Sequence, residues 1–300
     1  MPSLAVPAPI VAFNSYFPLK SHPYIKPLEK TILKAPTLWI RPPRTALQVT
    51  DTLLSADVEC LKWQAYLALR GLKSIKVRWD IAPEGAIGGS LPNLHVPMEE
   101  SLVQSEKLKH SAGAEDGELL AAHSIPTWVD MKLKADSSSD PLEGYINQEA
   151  RVESRAWVSL LEGVVHAALL VTRPQPSYLY TLLFPEAMPP LSESLQKILT
   201  APPAPLTGLW SVLPPTGVRI NTASILSQYK DAIISLSTRL GTDKWFLGSS
   251  EPTPLDALAF AYLHCILHSS DTIRIEVTRR VNLVAWEWRV RCLVREGFTR

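Results

Sequence analysis

Three neighbouring side chains have the types and spacing of a metal site. His264 and His268 stand four apart, so on a helix they face one way, with Cys265 between them. The glutamate that a helical zinc protease carries beside its histidines is missing and no third ligand is evident, so histidines near a helix end are the expected reading. The paired acids Glu99-Glu100 and Glu115-Asp116 lie in a polar stretch and read as solvated. The cysteines are Cys60, Cys265 and Cys292; an odd number at wide spacing implies neither a disulfide framework nor a zinc knuckle. Buried thiols in a reducing compartment are expected, with no metal and no cofactor.

Other residues point to contact rather than reaction. Residues 273–300 hold seven arginines against three glutamates, an excess suited to anionic lipid or an acidic protein surface if it is not simply spread around a solvated face. Trp286 and Trp288 cannot share one buried helical face, so one is interfacial. We take Trp286, with Arg279, Arg280, Arg289 and Arg291, as candidate partner or membrane contacts. Phe13, Tyr16 and Phe17 join them, because the N-terminal stretch is too apolar for a free tail and too rich in proline for a compact helix.

Composition bounds these readings. The chain has 300 residues, 46% of them hydrophobic and 20% charged, enough to bury a sizeable core. Its net charge of +1 argues against nucleic acid as a partner. With only 13 glycines, a glycine-rich nucleotide loop is not expected. No stretch is expected to reach the ~18 to 20 apolar residues needed to span a bilayer, and the two most apolar, 159–171 and 255–267, read as buried helices. The first 19 residues lack the basic start of a signal peptide and the arginines of a presequence, which places the chain on the cytosolic side of any membrane.

The elements follow from periodicity and punctuation. Of the 26 prolines, 9 fall in residues 1–43 and 10 in residues 172–218, marking an extended leader (1–35) and a later proline-rich excursion (172–218). Between them lies an α/β block, 36–135. It begins with a strand at 37–40 and a helix carrying Val58, Leu61, Ala65 and Leu69, capped by Ser55 or Asp57 and stopped at Gly71. Strands at 74–80, 91–96 and 118–125 follow, with a polar insertion at 98–117 and a short helix near Trp128. After a linker at 136–144, residues 145–300 read as helical. Long helices are expected over 146–171, 223–240, 253–267 and 282–294, with shorter pieces at 178–184 and 193–199. Thr253-Pro254-Leu255-Asp256 is a capping box at the start of a helix so apolar that it must be buried all round, and so reads as a folding element.

This order resembles the glutathione-transferase architecture: an α/β thioredoxin-like N-terminal domain followed by an all-α C-terminal domain. Pro92 matches the place of that fold's cis-proline, and Thr253 and Asp256 match its central capping box. A narrower resemblance is to the metaxins and their fungal counterparts. It rests on residues 150–171 (ARVESRAWVSLLEGVVHAALLV), on 239–267 (RLGTDKWFLGSSEPTPLDALAFAYLHCIL), on 281–290 (VNLVAWEWRV) and on Glu59-Cys60-Leu61-Lys62. It spans about residues 36–300 and is most specific in the C-terminal half. The chain stops at Arg300 without an apolar tail, so it is similar to the anchorless form.

The metaxin resemblance implies a non-enzymatic, peripheral protein on the cytosolic face of the mitochondrial outer membrane. There it would belong to the sorting and assembly machinery (SAM complex). Its partners would be the β-barrel insertase subunit, a second metaxin-like subunit and β-barrel precursors. The alternatives are a glutathione-dependent transferase and a cytosolic scaffold of the same fold. A transferase needs a hydroxyl or thiol just after the first strand to activate the glutathione thiol. Here that strand runs into Arg41-Pro42-Pro43-Arg44, with Thr45, Thr50 and Thr52 the only hydroxyls before the helix region. Ser55 belongs to the helix start, Cys60 lies within the helix, and Glu100-Ser101, the nearest match to an acidic-serine glutathione grip, falls in the insertion. No catalytic residue is therefore assigned.

Overall fold

A computed structural model describes residues 33–43, 53–80, 85–97, 117–133, 142–172 and 221–299. The leader residues Phe13, Tyr16 and Phe17 lie outside them. So do Arg44, Thr45, Thr50, Thr52, the acids and Ser101 of the insertion, and the pieces expected at 178–184 and 193–199.

Strand β1 (Thr37–Trp39) is buried at every position, as a central strand covered on both faces requires. It pairs in parallel with β2 (Ile75–Arg78), Leu38 opposite Val77, and antiparallel with β3 (Asn93–Val96), Leu38 opposite Leu94. β4 (Glu118–Ala121) adds antiparallel to β3, Leu94 opposite Leu120. In β2, Ile75 and Val77 point inward while Lys76 is exposed, the alternation its sequence predicts. The Leu91–Pro92 bond is cis, as expected.

The fifth strand was not expected. β5 (Phe298–Thr299) pairs in parallel with β2, Ile75 opposite Phe298 and Lys76 opposite Thr299, completing the order β4-β3-β1-β2-β5. Two residues carry no readable period. The close approach beneath them is built on Gly297. A Cβ there would stand 2.9 Å from the Ala68 Cβ and 3.3 Å from the Leu72 carbonyl oxygen.

Helix α1 (Val58–Leu69) links β1 to β2, and Asp57, not Ser55, is its N-cap, its Oδ2 accepting from the Cys60 amide at 3.2 Å. A short α2 (Ile125–Lys132) buries Trp128. Helix α3 runs Gln148–Val171 with a π-helical turn over Leu161–Val165. Its α4 partner, Thr222–Leu240, ends on Gly241 as expected. Arg239 of α4 reaches Glu153 of α3 through two bonds, Nε to Oε1 at 2.6 Å and Nη2 to Oε2 at 2.9 Å, and Trp157 Nε1 donates to the same carboxylate at 2.9 Å. The fork geometry holds the Glu153 carboxyl below the usual carboxylate range.

Of the two most apolar stretches, only one is a buried helix. α5 (Pro254–Leu267) is buried at every residue from Leu255 to Ile266 and packs on α1. The most apolar window of α3 is only 22% buried, and, contrary to the expectation from sequence, α3 is by length and composition long and apolar enough to cross a membrane, because its helix extends N-terminally through Gln148. Leu161, Val165 and Ala168 of α3 are buried in the core, while the rest of its apolar residues are only partly covered. α6 (Asp271–Thr278), also unexpected, buries just Ile273 and Val277, four residues apart, too short a stripe to stand out in a polar segment. α7 (Val281–Glu296) leads into β5.

Candidate functional site

A transferase would need its activating group at the turn from β1 into α1, and among the described residues of that turn Ser55 is turned inward. Ser55 is 1% exposed. Its hydroxyl donates to the Arg41 carbonyl at 3.0 Å and accepts from the Asp57 amide at 3.2 Å. The Ser55 amide donates to Gln64 Oε1 at 2.9 Å, and Gln64 Nε2 donates to the Leu53 carbonyl at 2.8 Å. Arg41 Nη1 bonds Asp57 Oδ1 at 3.2 Å. Pro43 and Ser55 form an isolated antiparallel bridge that closes the described ends of the turn on one another.

Cys60 sits at the floor of this network. The Arg41 amide lies 3.4 Å from its Sγ and donates to it. Burial, and next the Asp57 carboxylate, push the thiol up to about 12. A thiol so protonated is a poor nucleophile near neutral pH, and at 0% exposed it does not face a bound ligand. Within the described residues the turn presents packed structure rather than an exposed activating hydroxyl.

The histidine cluster is likewise absorbed into packing. His264 Nδ1 lies 2.7 Å from Glu287 Oε1 of α7, in a pair buried on both sides, and Arg291 approaches the same oxygen at 3.8 Å. His268 Nδ1 is 2.8 Å from the His264 carbonyl, and the two ring centroids lie 4.3 Å apart with the planes tilted by 42°. Cys265 turns away, its Sγ 3.7 Å from the Ala56 carbonyl. Among the described residues no group of three or more His, Cys, Asp or Glu side chains could hold a metal ion. The helical spacing instead serves an α5–α7 tie whose carboxylate half the sequence did not reveal.

The capping box forms as expected. The Thr253 amide and hydroxyl donate to Asp256 Oδ2 at 2.8 and 2.7 Å, and the Phe246 amide donates to Oδ1 at 2.9 Å. Burial outweighs these bonds and raises the Asp256 carboxyl to about 6. The Phe246 bond reaches beyond the box and anchors the loop before α5.

The candidate contact residues divide. Trp286 requires correction: it is 2% exposed, its ring 5.1 Å from Phe246 and its Nε1 donating to the Lys244 carbonyl at 3.1 Å. Trp288, two positions on and so on the opposite face, is 61% exposed. Arg289 also donates to the Lys244 carbonyl and lies over the Trp245 ring at 5.6 Å, so it clasps the loop before α5. Arg279 bonds Glu276 at 3.0 Å within its own turn, Arg280 occupies the N-cap of α7, and Arg291 leans on Glu287. The signal that separates the tryptophans was present in the spacing: Val281, Val284 and Trp288 repeat at three and four residues, whereas Trp286 shares its face with Leu283 and Val290.

Comparison with known proteins agrees with this geometry at the level of fold. Residues 229–290 match the family described as "Glutathione S-transferase, C-terminal domain". No curated protein sequence matches the chain. Among solved structures, a glutathione-S-transferase from Xylella fastidiosa is 15% identical, covering 88% of this chain and 100% of its own, with a TM-score of 0.42. One from Methylobacterium radiotolerans, in complex with glutathione sulfonate, is 14% identical, covering 89% and 96%, with a TM-score of 0.47. One from Ceriporiopsis subvermispora, in complex with glutathione, is 14% identical, covering 87% and 98%, with a TM-score of 0.46. The chain's own strand order, its cis-Pro92, the Thr253–Asp256 box and the helical-domain match together give it a glutathione-transferase-like fold, a mixed thioredoxin-like sheet followed by a helical domain.

Proposed function

We propose that the chain is a non-catalytic subunit held peripherally on the cytosolic face of the mitochondrial outer membrane. In this reading it belongs to the sorting and assembly machinery, beside the β-barrel insertase subunit and a second metaxin-like subunit, and assists insertion of β-barrel precursors. One observation carries the non-catalytic part: among the described residues of the β1–α1 turn, Arg41, Ser55, Asp57 and Gln64 are tied together by hydrogen bonds, with Ser55 buried and the Cys60 thiol held protonated. The metaxin resemblance carries the assembly part. Glu153 and Trp157 from one resembling segment and Arg239 from another are joined in one bonded unit, so those segments are coupled structurally. Affinity isolation of the native complex tests the reading. The barrel insertase and a second metaxin-like chain should co-purify, and carbonate should release this chain from mitochondria. Retention on glutathione resin together with conjugation of an electrophile would refute it.

A further inference from the structure

From the way β5 sits on the sheet we propose that the outer edge of β2 is a strand-binding site for a partner protein. The chain's own residues 297–299 occupy it, and a partner's extended segment, with glycine before a large apolar residue, takes their place. β5 itself shows what the edge accepts. It is a parallel strand of two residues, Phe298 opposite Ile75 and Thr299 opposite Lys76. The Ile75 amide donates to the Gly297 carbonyl at 3.2 Å, whereas the Lys76 amide donates to the other side, to the Pro36 carbonyl at 2.9 Å. Gly297 has helical dihedrals, φ −73° and ψ −20°, so space rather than conformation calls for glycine. The Ala68 Cβ and the Leu72 carbonyl leave no room for a Cβ there. Phe298 is buried in the core and Thr299 is exposed, the alternation of a strand with one covered face.

Two features make this occupant replaceable. β2 pairs with β1 at Lys76, Val77 and Arg78, but β5 covers only Ile75 and Lys76. Among the described residues no strand lies beside Val77 and Arg78 on the β5 side. A partner segment of four residues would pair along all of β2, forming more ladder bonds than the chain's own two residues can. A two-residue parallel strand at a sheet edge also belongs to the part of a fold that opens most readily. The incoming segment must supply a large apolar side chain where Phe298 leaves the core, and must lack a Cβ where Gly297 passes α1. Both demands set its sequence, and neither depends on the assembly role proposed above.

The test uses the full chain and a fluorescein-labelled peptide, EGFTVT. Its Gly-Phe-Thr takes the place of residues 297–299, which puts its valine opposite the buried Val77. A second peptide, EVFTVT, has valine in place of the glycine. Phe298→Asp, and more mildly Phe298→Ala, loosen β5, and circular dichroism establishes that each variant is folded. Both should bind EGFTVT more tightly than wild type, the aspartate variant by about tenfold, because the chain's own strand no longer competes. EVFTVT should bind about tenfold more weakly than EGFTVT, since its extra side chain meets Ala68. Hydrogen exchange locates the site: bound EGFTVT should restore protection at the Ile75 amide in the variants. In wild type, saturating EGFTVT should open Phe298 to chymotrypsin. Folded variants that bind no more tightly than wild type overturn the proposal, as does equal affinity for the two peptides. Binding that leaves Ile75 exchange unchanged in the variants overturns it too. Should neither variant fold, wild type decides alone: Phe298 as resistant with saturating peptide as without it refutes the idea. The assay contains no other subunit, so its failure leaves the assembly reading standing.

Discussion

Cys60 offers the sharpest check on the non-catalytic reading. Its thiol is pushed from 9.0 to about 12, with burial the largest cause and the Asp57 carboxylate the next. Each unit of that rise removes tenfold of the thiolate, so below pH 9 the reactive form falls by about a thousandfold before any steric shielding is counted. Alkylation by iodoacetamide at pH 8, followed by peptide mass spectrometry, reads this directly. Native Cys60 should label about a thousandfold more slowly than in urea, while the half-buried Cys292 serves as a comparison in the same sample. Asp57→Asn keeps a good cap and removes only the secondary cause, so labelling should quicken slightly and stay far below the unfolded rate. A native rate within about tenfold of the unfolded one refutes the reasoning and reopens the β1–α1 turn as a reactive site. The same rise has a stability consequence. The folded chain holds this proton more tightly than the unfolded chain, so the contribution is full below pH 9 and is lost as pH climbs toward 12.

Further outcomes concern the framework. Gly297→Ala forces a Cβ to 2.9 Å from that of Ala68 and should destabilise by about 1–3 kcal/mol in urea denaturation. Combined with Ala68→Gly it should recover about 1 kcal/mol relative to the sum of the single changes, and strict additivity contradicts the contact. Asp256, raised from 3.8 to about 6, binds its proton more tightly when folded; its contribution is full below pH 4 and lost as pH rises through 6, a slope that Asp256→Asn should remove. Glu153→Gln and Arg239→Lys in a double-mutant cycle should show coupling of about 1 kcal/mol, reduced by salt because both groups are about one-third exposed. Coupling indistinguishable from zero would show that the α3–α4 fork contributes orientation rather than stability.

Legibility followed the range of the interaction. The strands at 75–78 and 93–96, the caps at Asp57 and Thr253, and the buried α5 were readable because period, cap and breaker all act within a few residues. β5 and α6 escaped because their signals span two residues and one short stripe. Trp286 was misplaced although its spacing from Leu283 and Val290 put it on the buried face, because the arginine-rich composition of the segment outweighed that local period.

By itself the sequence determined that the chain is globular and nearly neutral, that a proline-marked leader precedes an α/β block and a helical one, and that one capped apolar helix lies at the centre. Only the tertiary structure decided that Ser55 and Cys60 are enclosed, that Glu287 faces His264, and that the last residues return to the sheet. The physical reason is common to all three. Enclosure, ion pairing and strand addition join groups that are nine or more residues apart, 23 for His264 and Glu287, and no local period or cap records such partners.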